Sequence, residues 1–249
     1  MNVRWTSKTS GQKFKIQGNL PSPVFRAYEH QQYSADFAER GHIRLGSLLS
    51  YREIESLGRR DTSEGEPKLR IPSDVTTIFL ESKTLQRIGE SVAPGYLNYS
   101  GSFDNPLYAF CVADSTVHHD HLRRQFGCHI VEIFNTTAFL VEFKNSLSRL
   151  QLPDREVLFV DSCSVRYDKG EIGEYPKDDH DRIYYTQKPP DFASDCEWRV
   201  VIALTGPLKE APKELFLDLA NPKLFCRQMS IYQNPAPTAQ TASANGVLP

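Results

Sequence analysis

Short runs in which apolar and polar residues alternate dominate this chain, and helical periodicity is scarcer. Val24-Phe25-Arg26-Ala27-Tyr28, following Pro21-Ser22-Pro23, predicts a strand with Val24, Arg26 and Tyr28 on one face. Tyr33 to Arg40 predicts a short helix closed by Gly41 as its C-cap. His42 to Leu45 predicts a second strand, and Leu48 to Ser56 a short amphipathic helix. Residues 58–74, GRRDTSEGEPKLRIPSD, predict a long charged loop, and strands are expected at Val75 to Glu81 and Leu107 to Val112. Asp114 to Arg124 predicts a helix started by an Asp or Ser cap. Three β-branched or alternating runs follow as strands: His129 to Phe134, Ala138 to Phe143 and Glu156 to Tyr167. A charged, Pro-bounded loop from Asp168 to Asp191 leads into the most regular strand, Cys196 to Leu204. Strand signals outnumber helix signals and no internal repeat is present, so the expected class is α+β, a mainly antiparallel sheet with short helices.

The 249 residues suffice for one sizeable core, and a hydrophobic fraction of 39% is globular rather than disordered in character. The expected organisation is a flexible arm or edge strand over residues 1–20, a single α+β domain over 21–233, and a disordered tail over 234–249, which has neither charge nor aromatic ring. A net charge of −2 argues against a general binder of polyanions, although a total leaves a local basic groove open. Neither a secretory h-region nor a membrane-length apolar run is present, and five widely spaced cysteines suggest free thiols rather than a disulfide framework. A soluble, cytoplasmic protein with no membrane partner is therefore expected.

Four groups of residues bear on chemistry. Arg26 and Tyr28 share a strand face, ordinarily as a solvated arginine beside a half-buried tyrosine, or else as a guanidinium fork beside an aromatic platform. In CEWRVVIAL, alternation opens an apolar face with Glu197 and Arg199, so that end of the strand should border a cleft. The pair is either a structural ion pair on a rim or a carboxylate fixed on a rigid element for function. The segment Arg59 to Glu66, RRDTSEGE, just after Tyr51-Arg52, is a solvated charge run or a cover over a ligand carrying phosphates and ribose. His118-His119-Asp120-His121, with Cys128-His129 beyond, lacks the spacing of a zinc site, so no metal is assigned. Phosphate loop, dinucleotide fingerprint and nucleophile elbow are all absent from the sequence, and no local signature supports a Cys-His nucleophile.

Taken in order, VFRAY, YSADFAERG and GHIRLGSLLSYRE, then YAFCVADS from Tyr108 to Ser115, then CEWRVVI, resemble the ADP-ribosyltransferase superfamily of bacterial toxins and their relatives. GHIRLGSLLSYREIE and RRDTSEGE also look like a group of bacterial domains of unknown function. The resemblance covers residues 23–205 and implies a split antiparallel sheet that cleaves NAD as co-substrate. It implies that Arg26 pairs with the NAD pyrophosphate, that Tyr28 or Tyr51 stacks on a ring, and that Arg52, Cys111 and Ser115 lie on the cofactor side. It makes Glu197 the catalytic carboxylate beside the departing nicotinamide, and puts Phe192 and Arg199 on the acceptor side. A nucleic-acid or protein acceptor is implied, in a toxin or phage-defence effector with an antitoxin or chaperone partner. Two departures stand out. Cys111, Ala113 and Ser115 replace the Ser-Thr-Ser of the arginine-first toxins, and D-C-E at 195–197 replaces the E-x-E of arginine-modifying members. The alternatives are a non-catalytic nucleotide-sensing module and a metal-dependent nuclease-like toxin built on His118 to His121.

Overall fold

A computed structural model describes residues 16–54, 64–80, 87–100, 103–150, 152, 154–169 and 182–229. Its main sheet contains nine strands: β1 (Ile16–Gln17), β2 (Val24–Tyr28), β3 (His42–Ser47), β6 (Leu107–Asp114), β7 (His129–Ile133), β8 (Val157–Ser164), β9 (Glu197–Leu204), β10 (Glu214–Asp218) and β11 (Cys226–Gln228). The remaining two, β4 (Lys68–Leu80) and β5 (Arg87–Ser100), pair with each other as a separate antiparallel ribbon. The helices are α1 (Gln31–Arg40), α2 (Leu48–Ile54), α3 (His119–Phe126), α4 (Thr136–Arg149) and α5 (Ile183–Thr186). This is a mixed α/β chain built on a large, mostly antiparallel open sheet.

The sheet runs β1-β8-β9-β6-β2-β7-β11, with β3 and then β10 branching from β6. All pairings are antiparallel except that of β1 with β8. The branch leaves a gap along β6. One edge of this strand pairs with β3 at Tyr108 and Ala109, and with β2 at Ala113 and Asp114. Between these contacts, residues 110–112 have no strand partner on that side. The sheet forks there.

One face of the sheet carries the principal core under α1 and α4. Phe139 lies 5.5 Å from Phe110, 5.9 Å from Phe143 and 5.7 Å from Phe225, ring centre to ring centre. Such aromatic pairs add roughly 1 kcal/mol each beyond the area they bury. The helix α1 stops where it does because Gly41 is left-handed (φ 74°), and a Cβ there would fall 1.9 Å from the Leu219 carbonyl oxygen. Only glycine avoids both the strain and the clash.

The opposite face is covered in two separate patches. Leu48, Leu107, Ala109, Cys163, Tyr185, Val201 and Ala203 form one, and Phe25, Ala113, Val117, Leu122 and Ile130 the other. Burial on both sides explains why Val200 to Leu204 is a continuous apolar run.

Several local expectations change. Ala138 to Phe143 is the middle of α4, not a strand. The run AFLVEF fits either period, but Phe139, Phe143 and Leu147 recur every fourth residue and are buried, and the Asn135 side chain caps the helix by accepting from the Ala138 N–H at 3.1 Å. Residues 68–74 of the charged loop already belong to β4, while 58–63 lie outside the described residues. The helix expected from Asp114 starts at His119 and ends at Phe126, because Asp114 instead accepts from the Thr116 N–H in a tight turn. Of the two readings for residues 1–20, the described end takes the edge strand: Ile16–Gln17 is one, and Leu20 is buried. Residues 234–249 lie outside the described residues.

Candidate functional site

On the second face, successive inward residues of β6 pass from one apolar patch to the other: Leu107 and Ala109, then Cys111, then Ala113. Along β9 the same face reads Ala203, Val201, Arg199, Glu197. Where the patches leave a gap, a cavity of about 600 Å³ opens, lined by Cys111, Arg199 and Glu197 together with Arg26, Tyr51 and Glu64, among others. That volume lies in the range of small-molecule sites.

Its floor is a buried quartet of charges. Arg199, Glu64, Lys188 and Glu197 are 1%, 2%, 5% and 8% exposed, so the Glu197–Arg199 pair is not a solvated rim bridge. The Arg199 guanidinium donates to Glu197 Oε1 at 2.6 Å, to both Glu64 oxygens at 2.7 and 3.2 Å, and to the Tyr185 carbonyl at 2.9 Å. The Lys188 ammonium sits 2.8 Å from Glu197 Oε2 and 3.9 Å from Glu64 Oε2. Two cations and two carboxylates cancel, which is what makes such burial tolerable. Burial alone would push the Glu197 carboxyl up, but Arg199 and Lys188 outweigh it and hold the group well below the ordinary carboxylate range. Burial likewise disfavours the Lys188 charge, yet Glu197 and Glu64 raise its pKa above that of a free lysine.

Each member is placed by its element. Glu197 opens β9, and its N–H donates to the Tyr167 hydroxyl at 2.7 Å. Just before it, Cys196 is left-handed (φ 47°), a strained conformation for a non-glycine residue at the entry to the site. Glu64 is held from behind by Arg52, which donates to the Glu64 carbonyl at 2.6 Å and to the Glu66 carboxylate at 2.7 Å. Lys188 is fixed by backbone bonds to Arg166 and Lys169, and its ammonium lies 5.1 Å from the Phe192 ring centre.

The fork in the sheet explains Arg26. With residues 110–112 lacking a strand partner on that edge, the Cys111 carbonyl is free to accept from Arg26 Nη1 at 2.7 Å. The guanidinium also lies over the Phe110 ring at 4.2 Å and near Tyr28 at 5.4 Å. Among the described residues no carboxylate pairs with it. The Tyr51 hydroxyl donates to the Ala109 carbonyl at 3.3 Å, and its ring rests on Gly46, where an added Cβ would meet ring carbon at 2.8 Å. Burial pushes the Cys111 thiol up to about 12, so this cysteine is a protonated wall of the pocket rather than a nucleophile.

Of the residues singled out from sequence, Arg26, Tyr51, Cys111, Glu197 and Arg199 line the cavity. Tyr28, Arg52 and Phe192 stand behind it, against Arg26, Glu64 and Lys188 respectively, and Ser115 is exposed beyond the end of β6. Arg59 and Arg60 lie outside the described residues. Sequence reasoning gave Glu64, Lys188 and Asp195 no role of their own, noting them only within the Arg59 to Glu66 run, the loop ahead of Glu197 and the D-C-E triplet, and it passed over Arg44. Glu64 had a signal, because an acid beside Gly65 follows a run rich in charge, but nothing local says that it turns inward. Asp195 stands two residues before Glu197, lines the cavity and bonds His121 Nε2 at 2.8 Å. His119 packs edge-on against Phe25 at 4.6 Å, and among the described residues no group of three or more His, Cys, Asp or Glu is arranged to hold a metal. No described helix is long and apolar enough to cross a membrane. Against known proteins the chain stands without a match: no family model, no curated protein and no solved structure matches it.

Proposed function

We propose that this chain is an NAD-dependent ADP-ribosyltransferase whose acceptor is a nucleic acid or a protein, acting as a bacterial toxin or phage-defence effector. One observation carries the reading: a carboxylate held ionised at the floor of a nucleotide-sized cavity lines the same space as an arginine with no acid partner among the described residues. Cleavage of NAD breaks the bond between ribose C1′ and the nicotinamide nitrogen, the electron pair leaving with nicotinamide. Positive charge then develops on the ribose, and fixed negative charge beside it lowers the barrier. Glu197 supplies that charge, and its clamp keeps it anionic across the physiological range. Arg26 is suited to the pyrophosphate, since a half-buried guanidinium that among the described residues meets the Cys111 carbonyl, Tyr28 and the Phe110 ring, and no carboxylate, retains donors for a bidentate anion. Tyr51 offers a ring wall beside it.

A second reading, a non-catalytic nucleotide-sensing module, rests on the fact that both Glu197 oxygens are already engaged, one by Arg199 and one by Lys188. Labelled NAD incubated with the protein and a cell extract separates the two. Transfer of label into one macromolecular fraction, lost in Glu197→Gln, supports the transferase. NAD binding with no nicotinamide release, unaffected by that substitution, supports the sensor and overturns the transferase.

A further inference from the structure

The charges around the cavity are unevenly distributed. At its floor, Arg199 and Lys188 are neutralised by Glu64 and Glu197. At its mouth stand four arginines from three elements: Arg26 on β2, Arg44 on β3, and Arg123 and Arg124 at the C-terminal turn of α3. Two lining acids lie outside the floor quartet: Glu29, which is exposed, and Asp195, which is taken by His121. Among the described residues Arg26 has no carboxylate partner, and Arg124 is exposed and makes no ion pair. Arg44 and Arg123 reach Glu214 at 2.8 Å and Asp120 at 3.1 Å, but on the solvent side, where such pairs are weak and exchangeable. A chain with net charge −2 thus gathers four arginines at one opening, two of which, Arg26 and Arg124, have no acid partner among the described residues.

We infer that the acceptor for this site is a single-stranded nucleic acid, with its phosphates on Arg44, Arg123 and Arg124 and one nucleotide entering the cavity. The inference rests on the transferase reading for what happens to that nucleotide, but not for its binding. Arginines spread over β3 and α3 suit a chain of anions better than one isolated phosphate, and guanidinium forks match phosphate oxygens. The half-buried Phe126 ring lines the same mouth and makes its wall partly aromatic. A cavity closed by β-strands on its floor admits one unstacked nucleotide and excludes a duplex whose bases are paired.

The test measures binding of short, labelled single-stranded RNA and DNA to the full chain by fluorescence anisotropy as salt is varied, without NAD. The double substitution Arg123→Glu/Arg124→Glu is compared with Arg40→Glu/Arg149→Glu, which makes the same change in net charge on α1 and α4, on the other face of the sheet. Circular dichroism confirms that both variants fold. The expected result is salt-sensitive binding of the single strand that weakens by tenfold or more, roughly, in the Arg123/Arg124 variant. Its log–log salt slope should fall by about 1.4, from two lost contacts at about 0.7 each. The α1/α4 variant should behave as wild type. Any one of three results overturns the inference: no single-strand binding at low salt, equal losses in the two variants, or a polyglutamate peptide or a duplex binding as tightly as the single strand. Nicotinamide release by the wild type is measured separately, so a failure of nucleic-acid binding with NAD cleavage intact rejects this inference alone. Nucleic-acid binding without cleavage rejects only the transferase.

Discussion

Glu197 shows how a residue can be both structural and chemical. Its carboxyl titrates well below the ordinary range when folded, whereas in the unfolded chain it titrates near 4.3. Below the unfolded value the unfolded chain takes up a proton that the folded protein refuses, so stability falls as pH drops through about 4. The wild type should therefore lose stability in urea between pH 6 and pH 3, and Glu197→Gln should show a shallower loss. At neutral pH that variant should be about 3 kcal/mol less stable, because Arg199 and Lys188 are left buried with one carboxylate between them. Equal pH slopes in the two proteins would mean that the clamp is not formed in solution. Cys111 gives a second residue-level expectation. Its thiol, pushed up to about 12 by burial, should resist iodoacetamide at pH 8 in the native protein, while the exposed Cys128 is alkylated. Peptide mass spectrometry reads both sites, and prompt labelling of Cys111 would contradict the buried pocket wall.

Among the elements, β2, α1, β3, α2, β7 and β9 were legible within a few residues because each signal is local: alternation, a glycine cap, or a bounded β-branched run. The element α4 was not, since a solid apolar block such as AFLVEF carries no period of its own, and the side that becomes buried is decided by Phe37, Phe110 and Phe225 from elsewhere in the chain. The short strands β10 and β11 are set by their partners β3 and β7, which no local pattern reveals. The same contrast governs the site. Glu197 and Arg199 stood out because charge interrupts an apolar face, whereas Glu64 and Lys188 arrive from loops whose inward turn depends on Arg199 being there. Between β3 and α2, the Gly46–Tyr51 contact is a close element-level fit. Gly46→Ala would put a methyl against the Tyr51 ring and should cost about 1–3 kcal/mol. In a Tyr51→Leu background the same change should cost less, and a double-mutant cycle measures the coupling. Full additivity would mean that the ring does not rest on Gly46.

At the scale of the molecule, the two faces of the sheet do different work. The α1/α4 face is a continuous aromatic core, while the other face is two patches bridged by charge. Arg199 is the bridge: one guanidinium joins Glu64 after α2, the Tyr185 carbonyl in α5 and Glu197 on β9. Glu64 lies 135 positions from Arg199 in sequence, and although the Tyr185 ring packs in the same apolar patch as Val201 and Ala203, its carbonyl is joined to Glu64 and Glu197 through this one guanidinium. Arg199→Met keeps most of the volume but strands two carboxylates with Lys188 alone. Hydrogen exchange should then rise together in residues 64–66, 183–188 and 197–199, while peptides from α1 and α4 keep their wild-type protection. A rise of equal size over α4 would show that the faces unfold as one unit. A rise confined to 197–199 would show that Glu64 and Tyr185 are held by something other than Arg199. The separation matters for function, because a face whose two apolar patches are bridged by a charge cluster can rearrange around a charged ligand at its floor without disturbing the core behind it.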